Sequence, residues 1–296
     1  MSRQIAKKMG IDELGNKTRP PKGARVLAIT SGKGGVGKTN IVANLGIALQ
    51  RLGKKVMVFD ADVGLGNLDI LLGLAPKFNF SDVIMGTRTV EEILVRGPEN
   101  LTILPAGSGI EEMTGLSRSQ TAKILKELEG SLEGYDFLLC DTAAGISSNV
   151  MYFSAAAQDT LVVTNPEPTA ITDAYALMKV LSNKYGVKRF GLIVNMVSDL
   201  PEAQEVYRQL NLVTSRFLDI SIDYIGHVPR DPNIRKSIRR QRAVSELYPE
   251  SRSSQCLQSI AIRLCNSPRR HMPGGQRLFF WEELLDIGRV HVRSEP

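Results

Sequence analysis

Eight residues constrain this chain more than any others. Gly32-Lys33-Gly34-Gly35-Val36-Gly37-Lys38-Thr39 fits the pattern G-x-x-x-x-G-K-[ST]. A short apolar run, Val26-Leu27-Ala28-Ile29-Thr30, precedes it, and a helical stretch over residues 38–52 follows, with Gly53 where a C′ glycine belongs. A strand, a glycine-rich loop and a helix in that order make a phosphate cradle. The glycines let the backbone wrap closely, so that successive N–H groups point inward at phosphate oxygens. The helix adds its positive N-terminal end. Lys38 is expected to neutralise the β and γ phosphates, and the Thr39 hydroxyl to ligate Mg²⁺. Gly32, Gly34, Gly35, Val36, Gly37, Lys38, Thr39 and Asn40 form the expected nucleotide-binding segment.

The rest of the chain supplies the scaffold such a loop needs. Apolar runs recur at residues 55–60, 101–105, 136–141, 159–164, 189–195 and 223–228. They are continuous and not alternating, as burial on both faces of a parallel sheet requires. Helical stretches at 118–131, 170–185 and 202–219 lie between them. The repeated β-α order predicts an α/β fold: a doubly wound, mostly parallel sheet with helices on both faces. The expected organisation is an N-terminal extension over residues 1–25, with a short helix within 5–14, then a nucleotide-binding domain over 26–265. Residues 266–296 form a linker and a C-terminal amphipathic helix.

In open α/β sheets ligands sit at the C-terminal ends of the strands. Three carboxylates fall there. Asp141 ends the run 137–140 and is the best Mg²⁺-holding candidate; Asp60 ends the strand after the loop helix, and Asp62 follows in Asp60-Ala61-Asp62. Any one of these alone reads equally as a turn or cap residue.

Three cysteines, Cys140, Cys256 and Cys265, provide neither a disulfide framework nor a C-x-x-C pair, and are expected to be reduced and at least partly buried. No apolar run reaches the length of about 18 residues that spans a bilayer, and the N-terminus lacks a signal-peptide core, so a cytoplasmic protein is expected. The net charge of +6 is localised: residues 230–296 hold 13 Lys/Arg against 7 Asp/Glu, and the rest is neutral. Within that quarter, residues 230–242 predict a helix capped by Asp231, with Pro232 in its first turn and Arg235, Lys236, Arg239 and Arg240 along it. It is either a partner-binding face or a solvated one. On a helical wheel Leu278, Phe280, Trp281, Leu284, Leu285 and Ile287 share one half, Glu282, Glu283, Asp286 and Arg289 the other, and Phe279 intrudes. This segment either touches a membrane surface peripherally or docks on its own core; its acidic polar face disfavours anionic lipid.

The second lysine of the loop, Lys33, makes it resemble the deviant Walker A motif of the MinD/ParA ATPases. That resemblance implies ATP and Mg²⁺ as ligands and a homodimer with ATP between its subunits. Lys33 would reach the partner's phosphates while Lys38 acts in its own subunit. Phe59-Asp60-Ala61-Asp62 resembles the family's switch I, which implies that Asp62 orients the attacking water and that Asp60 lies near the Mg²⁺ shell. Asp141-Thr142-Ala143-Ala144-Gly145 resembles switch II, with Ala143 where a proline is usual. Asn195, with Pro229 and Asp231 after the last strand, resembles the adenine pocket. Within the family, residues 62–69, 141–147, 166–176, 228–231 and 235–238 resemble the FlhG/FleN/YlxH group, which controls flagellar number and placement.

The resemblance implies as partners an FlhF-like GTPase, flagellar switch-complex proteins or a flagellar transcription regulator. One departure concerns the first of these: Arg3-Gln4-Ile5-Ala6 lacks the Asp of the group's usual N-terminal motif. The rival readings are a ParA-type protein using non-specific DNA, a metal-cluster carrier of the same superfamily, and a non-hydrolysing scaffold. The cysteine spacing speaks against the second; the intact Lys33, Lys38, Asp62 and Asp141 speak against the third.

Overall fold

The computed structural model describes residues 23–62, 66–105 and 118–268. The motif Arg3-Gln4-Ile5-Ala6, the helix expected within 5–14 and the amphipathic segment 278–287 lie outside the described residues.

Eight strands form one sheet in the order β3-β4-β2-β5-β1-β6-β7-β8. They are β1 (Arg25–Ser31), β2 (Val56–Ala61), β3 (Val95–Arg96), β4 (Thr102–Pro105), β5 (Phe137–Ala144), β6 (Asp159–Thr164), β7 (Arg189–Val197) and β8 (Ser221–Pro229). All neighbours pair in parallel except β3, which runs antiparallel to β4 at one edge. The two-residue β3 is too short to leave a pattern in the sequence. Longer helices connect the strands: α1 (Lys38–Arg51), α5 (Arg118–Ser131), α6 (Ser148–Ala156), α7 (Pro168–Tyr185), α8 (Leu200–Phe217), α9 (Pro232–Arg239) and α11 (Arg252–Asn266). Short helices α2 (Leu68–Leu71), α3 (Phe80–Ile84), α4 (Val90–Ile93) and α10 (Val244–Leu247) fill the connections.

The continuous apolar runs are explained by the packing. Along β1, Leu27 and Ile29 join one core cluster, and Val26 and Ala28 another on the opposite face. In β2 the split is Val56 and Val58 against Met57 and Phe59; in β5 it is Phe137 and Leu139 against Leu138 and Cys140. Successive strand side chains point to opposite faces, so a strand covered on both sides must be apolar at every position. The first face is covered by α1 and α11, through Ile41, Leu45, Leu49, Leu257, Ile260 and Leu264. On the other, Phe153 of α6 meets Phe59 edge-on with ring centroids 5.5 Å apart.

The basic helix lies within residues 230–242, where it was expected. Asp231 caps it as expected, accepting from the Asn233 N–H at 2.8 Å. It then ends at Arg240, followed by Gln241 in the left-handed region. Helix α11 was hidden by a start of three serines. Ser251 caps it by accepting from the Ser254 N–H, and its buried Leu257, Ile260, Ala261 and Leu264 keep helical spacing. At its far end Arg25 clamps the fold: it pairs with Asp159 at 2.8 Å and donates to the Leu264 carbonyl at 2.8 Å, with 5% of its side chain exposed.

Candidate functional site

The strand order places the site. From β1 the chain crosses to β2 on one side through α1, while β6 lies against β1 on the other side. That is a topological switch point, and the loop after β1 opens into its crevice. Strands β2, β5 and β1 are adjacent, and their register puts Asp60 beside Asp141 and Asp141 beside Ile29. Both carboxylates thus stand next to the phosphate loop: Asp60 at 8% exposure and Asp141 at 1%.

The loop is held from beneath. The Asn195 amide, buried at the end of β7, donates to the Val36 carbonyl at 2.7 Å. Gly37 has φ +87, and a Cβ there would lie 2.4 Å from Asn195 Nδ2. Gly35 has φ +79, and around both Gly34 and Gly35 a Cβ would meet nothing. The loop backbone therefore faces open space, as a bound phosphate chain requires. Gly32 serves a different purpose: a Cβ there would come within 2.2 Å of the Asp173 backbone, so its absence lets α7 approach.

Lys38 Nζ lies 2.5 Å from Asp141 Oδ1, and both side chains are buried. Burial pushes the Asp141 carboxyl above the usual range, against the pull of the Lys38 ammonium. Thr39 is close enough to interact with the same carboxylate, although Oδ2 has no well-formed hydrogen bond. Burial, then the neighbouring Asp141, push Asp60 up to about 7, while the Asp62 and Leu68 N–H groups donate to it and pull it back. Two adjacent buried carboxylates, both with raised pKa values, beside a threonine hydroxyl, are a donor set that a hard divalent cation relieves. The residues present therefore fit a magnesium–nucleotide ligand: backbone N–H groups and Lys38 for the phosphates, and Thr39, Asp60 and Asp141 for the cation.

The remaining expected residues divide. Asp62 is half-buried at the edge of the described segment, two residues beyond Asp60. Pro229 is buried at the end of β8. The Asp231 carboxylate is engaged within the protein: one oxygen caps α9, and the other accepts from the Ser253 hydroxyl at 2.8 Å. Lys33 turns away from its own loop. Its ammonium lies 2.8 Å from Glu167 Oε2 and 2.8 Å from the Thr169 hydroxyl, at the N-terminus of α7. Sequence reasoning picked out residues 166–176 without giving them a task; the signal was an acidic residue just before a proline at the start of a helix. It also missed Asn44. This fully buried residue of α1 donates to the Asn40 carbonyl at 2.8 Å and accepts from the Ser245 N–H at 2.8 Å, tying the loop helix to α10.

Cys140 is buried in β5, and Cys256 and Cys265 are half-buried on α11; all three are free. Among the described residues no three His, Cys, Asp or Glu side chains gather as a metal site, and no helix is long and apolar enough to cross a membrane.

The sequence profile of the ParA family, described as NUBPL iron-transfer P-loop NTPase, matches residues 22–265. The chain is 43% identical over 261 residues to the antiactivator FleN of Pseudomonas aeruginosa, covering 88% of this chain and 93% of that one. It is 34% identical over 238 residues to the flagellum site-determining protein YlxH of Helicobacter pylori, covering 80% of each. Among solved structures, MinD in the MinC:MinD cell division complex of Aquifex aeolicus superposes with a TM-score of 0.65 at 32% identity, covering 85% of this chain and 100% of that one. MinD of Pyrococcus horikoshii, solved with Mg-ADP, gives 0.65 at 30% identity over 82% of this chain and 96% of its own. With its loop, strand order and paired carboxylates, the chain belongs to the MinD/ParA family of P-loop ATPases and, within it, to the FlhG-like group of FleN and YlxH.

Proposed function

We propose that the protein is an ATP-driven dimerising switch that regulates flagellar number and placement. The observation that carries the switch is the division of labour between two lysines. Lys38 is buried on Asp141, inside its own site, whereas Lys33 sits on the rim with 37% of its side chain exposed. A rim lysine is available to a second subunit, and the resemblance assigns it to the partner's phosphates. The flagellar assignment rests on the similarity to FleN and YlxH.

Bound magnesium supplies positive charge at the phosphates and orients them. The chain's own residues do the rest. Loop N–H groups and Lys38 hold the phosphates, Thr39, Asp60 and Asp141 hold the cation, and Asp62 orients the attacking water. Asn195 Oδ1, buried without a hydrogen bond, is an acceptor suited to the amino group of adenine. Because catalysis is mainly positioning and electrostatics, turnover is slow until a partner completes the site. The partners would be an FlhF-like GTPase, flagellar switch-complex proteins or a flagellar transcription regulator, with peripheral membrane contact through residues 278–287.

Light scattering after size exclusion tests the switch, on wild type and Asp62→Ala with ADP or with ATP and Mg²⁺. A dimer that forms only with ATP and persists in Asp62→Ala supports it, whereas a monomer in every condition removes it. Complementation of a FleN-deficient Pseudomonas strain, with flagella counted, tests the biological assignment. The second reading, ParA-type positioning on DNA, is favoured by Arg235, Lys236, Arg239 and Arg240, all exposed on and beside α9. ATP-dependent binding to random DNA that weakens steeply with salt would support it.

A further inference from the structure

We infer that Arg230 braces a strained bulge at Met196 and thereby positions Asn195, so that this exposed arginine sets how well the site tells adenine from guanine. This rests on the reading of Asn195 given above, in which its Oδ1 accepts from the amino group of adenine.

The bulge shows in the register of the last two strands. Asn195 stands opposite Val228 and Val197 opposite Pro229, which leaves Met196 as an extra residue in β7. Its φ is +58, a left-handed conformation that a residue other than glycine adopts only at a cost. The bulge changes which way the side chains point. In an unbroken strand Met196 would share the face of Val194, and Val197 that of Asn195. Instead Val194 and Val197 lie together in the core cluster with α7 and α8. Met196 joins Asn195 beside the phosphate loop: a Cβ on Gly37 would lie 2.4 Å from Asn195 Nδ2 and 3.4 Å from Met196 Cε.

Arg230 holds the bulge through its backbone and its side chain. Its N–H donates to the Val197 carbonyl and its Nε to the Met196 carbonyl, each at 2.8 Å. The first bond continues the strand pairing, and the second ties down the strained peptide itself. The consequence falls on Asn195. Its Nδ2 is spent on the Val36 carbonyl at 2.7 Å, so the amide cannot turn over and only Oδ1 is left to a ligand. An acceptor there suits the amino group of adenine and opposes guanine O6, which is itself an acceptor. A neutral hydrogen bond shifts an equilibrium by about two- to twelvefold. Without the Nε bond the fraction of molecules with Asn195 in place falls by that factor, and apparent affinity falls with it. Glycine takes positive and negative φ about equally, so in a Met196→Gly variant the brace should matter by no more than about twofold.

The test uses the full-length chain as wild type, Arg230→Ala, Met196→Gly, the double variant and Asn195→Ala, each titrated with fluorescent ADP and GDP in the presence of Mg²⁺. Diphosphates keep pairing driven by ATP out of the measurement. The brace predicts that Arg230→Ala raises the Kd for MgADP by about two- to twelvefold and narrows the gap to MgGDP. Met196→Gly should then restore both in the double variant, to within about twofold of wild type. Restoration is the decisive arm, because an arginine that touched the nucleotide, or merely attracted its charge, would not be replaced by a glycine at another position. If Arg230→Ala binds and discriminates like wild type, or if Met196→Gly restores nothing, the brace is wrong; loss of discrimination in Asn195→Ala then leaves the base reading standing. If Asn195→Ala discriminates as well as wild type, the base reading is wrong and the brace falls with it.

Discussion

Three alanine substitutions in one loop separate what the glycines do for the fold from what they do for the ligand. Gly34 has no positive φ and a Cβ there meets nothing, so Gly34→Ala should change stability by no more than about 0.5 kcal/mol. Gly35 also faces open space but has φ +79, and alanine in the left-handed region costs about 1–2 kcal/mol. Gly37→Ala carries that cost and a collision, since its Cβ would lie 2.4 Å from Asn195 Nδ2. Moving Asn195 aside breaks its bond to the Val36 carbonyl, a further loss of about 1–3 kcal/mol for a buried group left unpaired. The expected order of destabilisation is Gly34, then Gly35, then Gly37 at about 2–5 kcal/mol. Urea unfolding of the nucleotide-free protein measures it. Affinity should follow a different rule. Methyls at Gly34 and Gly35 enter the open space over the loop, and one hydrogen bond to a charged phosphate is worth about 1.5–3 kcal/mol, so these two variants should bind MgADP about tenfold more weakly or worse. A fluorescent ADP titration reads this directly. In an Asn195→Ala background the collision is gone, and Gly37→Ala should cost no more than Gly35→Ala. Equal stability penalties at 35 and 37 would refute the collision with Asn195, and full affinity in Gly34→Ala would show that the loop is not the phosphate cradle described above.

Other outcomes follow from buried polar groups. Arg25→Ala leaves Asp159 buried without its guanidinium and should cost about 3–5 kcal/mol in denaturant unfolding; Asp159→Leu combined with Arg25→Met should recover most of it. Asn44→Ala removes the tie between α1 and α10, an expected loss of about 1–3 kcal/mol, with nucleotide affinity lowered as well because Asn40 loses its support. Asp60 has a raised pKa in the folded state, so the stability it contributes is present below about pH 4 and is lost as pH rises through about 7. In metal-free, nucleotide-free protein, Asp60→Asn should therefore stabilise at pH 8 by a few kcal/mol at most, and the gain should vanish by pH 4. A gain that grows on acidification would refute this.

Much of the site was legible along the chain because its chemistry is local. The loop reads from its glycines and Lys38, and Asp60 and Asp141 from their places at the ends of apolar runs. Where reading failed, the signal was too short or came from elsewhere. Two-residue β3 has no periodicity, and α11 begins in serines that read as a turn. Asp231 was correctly seen as a cap, yet its second oxygen goes to Ser253, 22 positions away.

The sequence alone determined that there would be a phosphate loop, a parallel sheet buried on both faces and carboxylates at strand ends. Each of these depends on backbone freedom or hydrophobic period within a few residues. Only the tertiary structure decided which carboxylate meets which lysine. Lys38 finds Asp141 at a separation of 103 residues, and Lys33 finds Glu167 at 134. Those meetings depend on strand order, and strand order is settled by how all the helices together cover the two faces of the sheet, which no short stretch encodes.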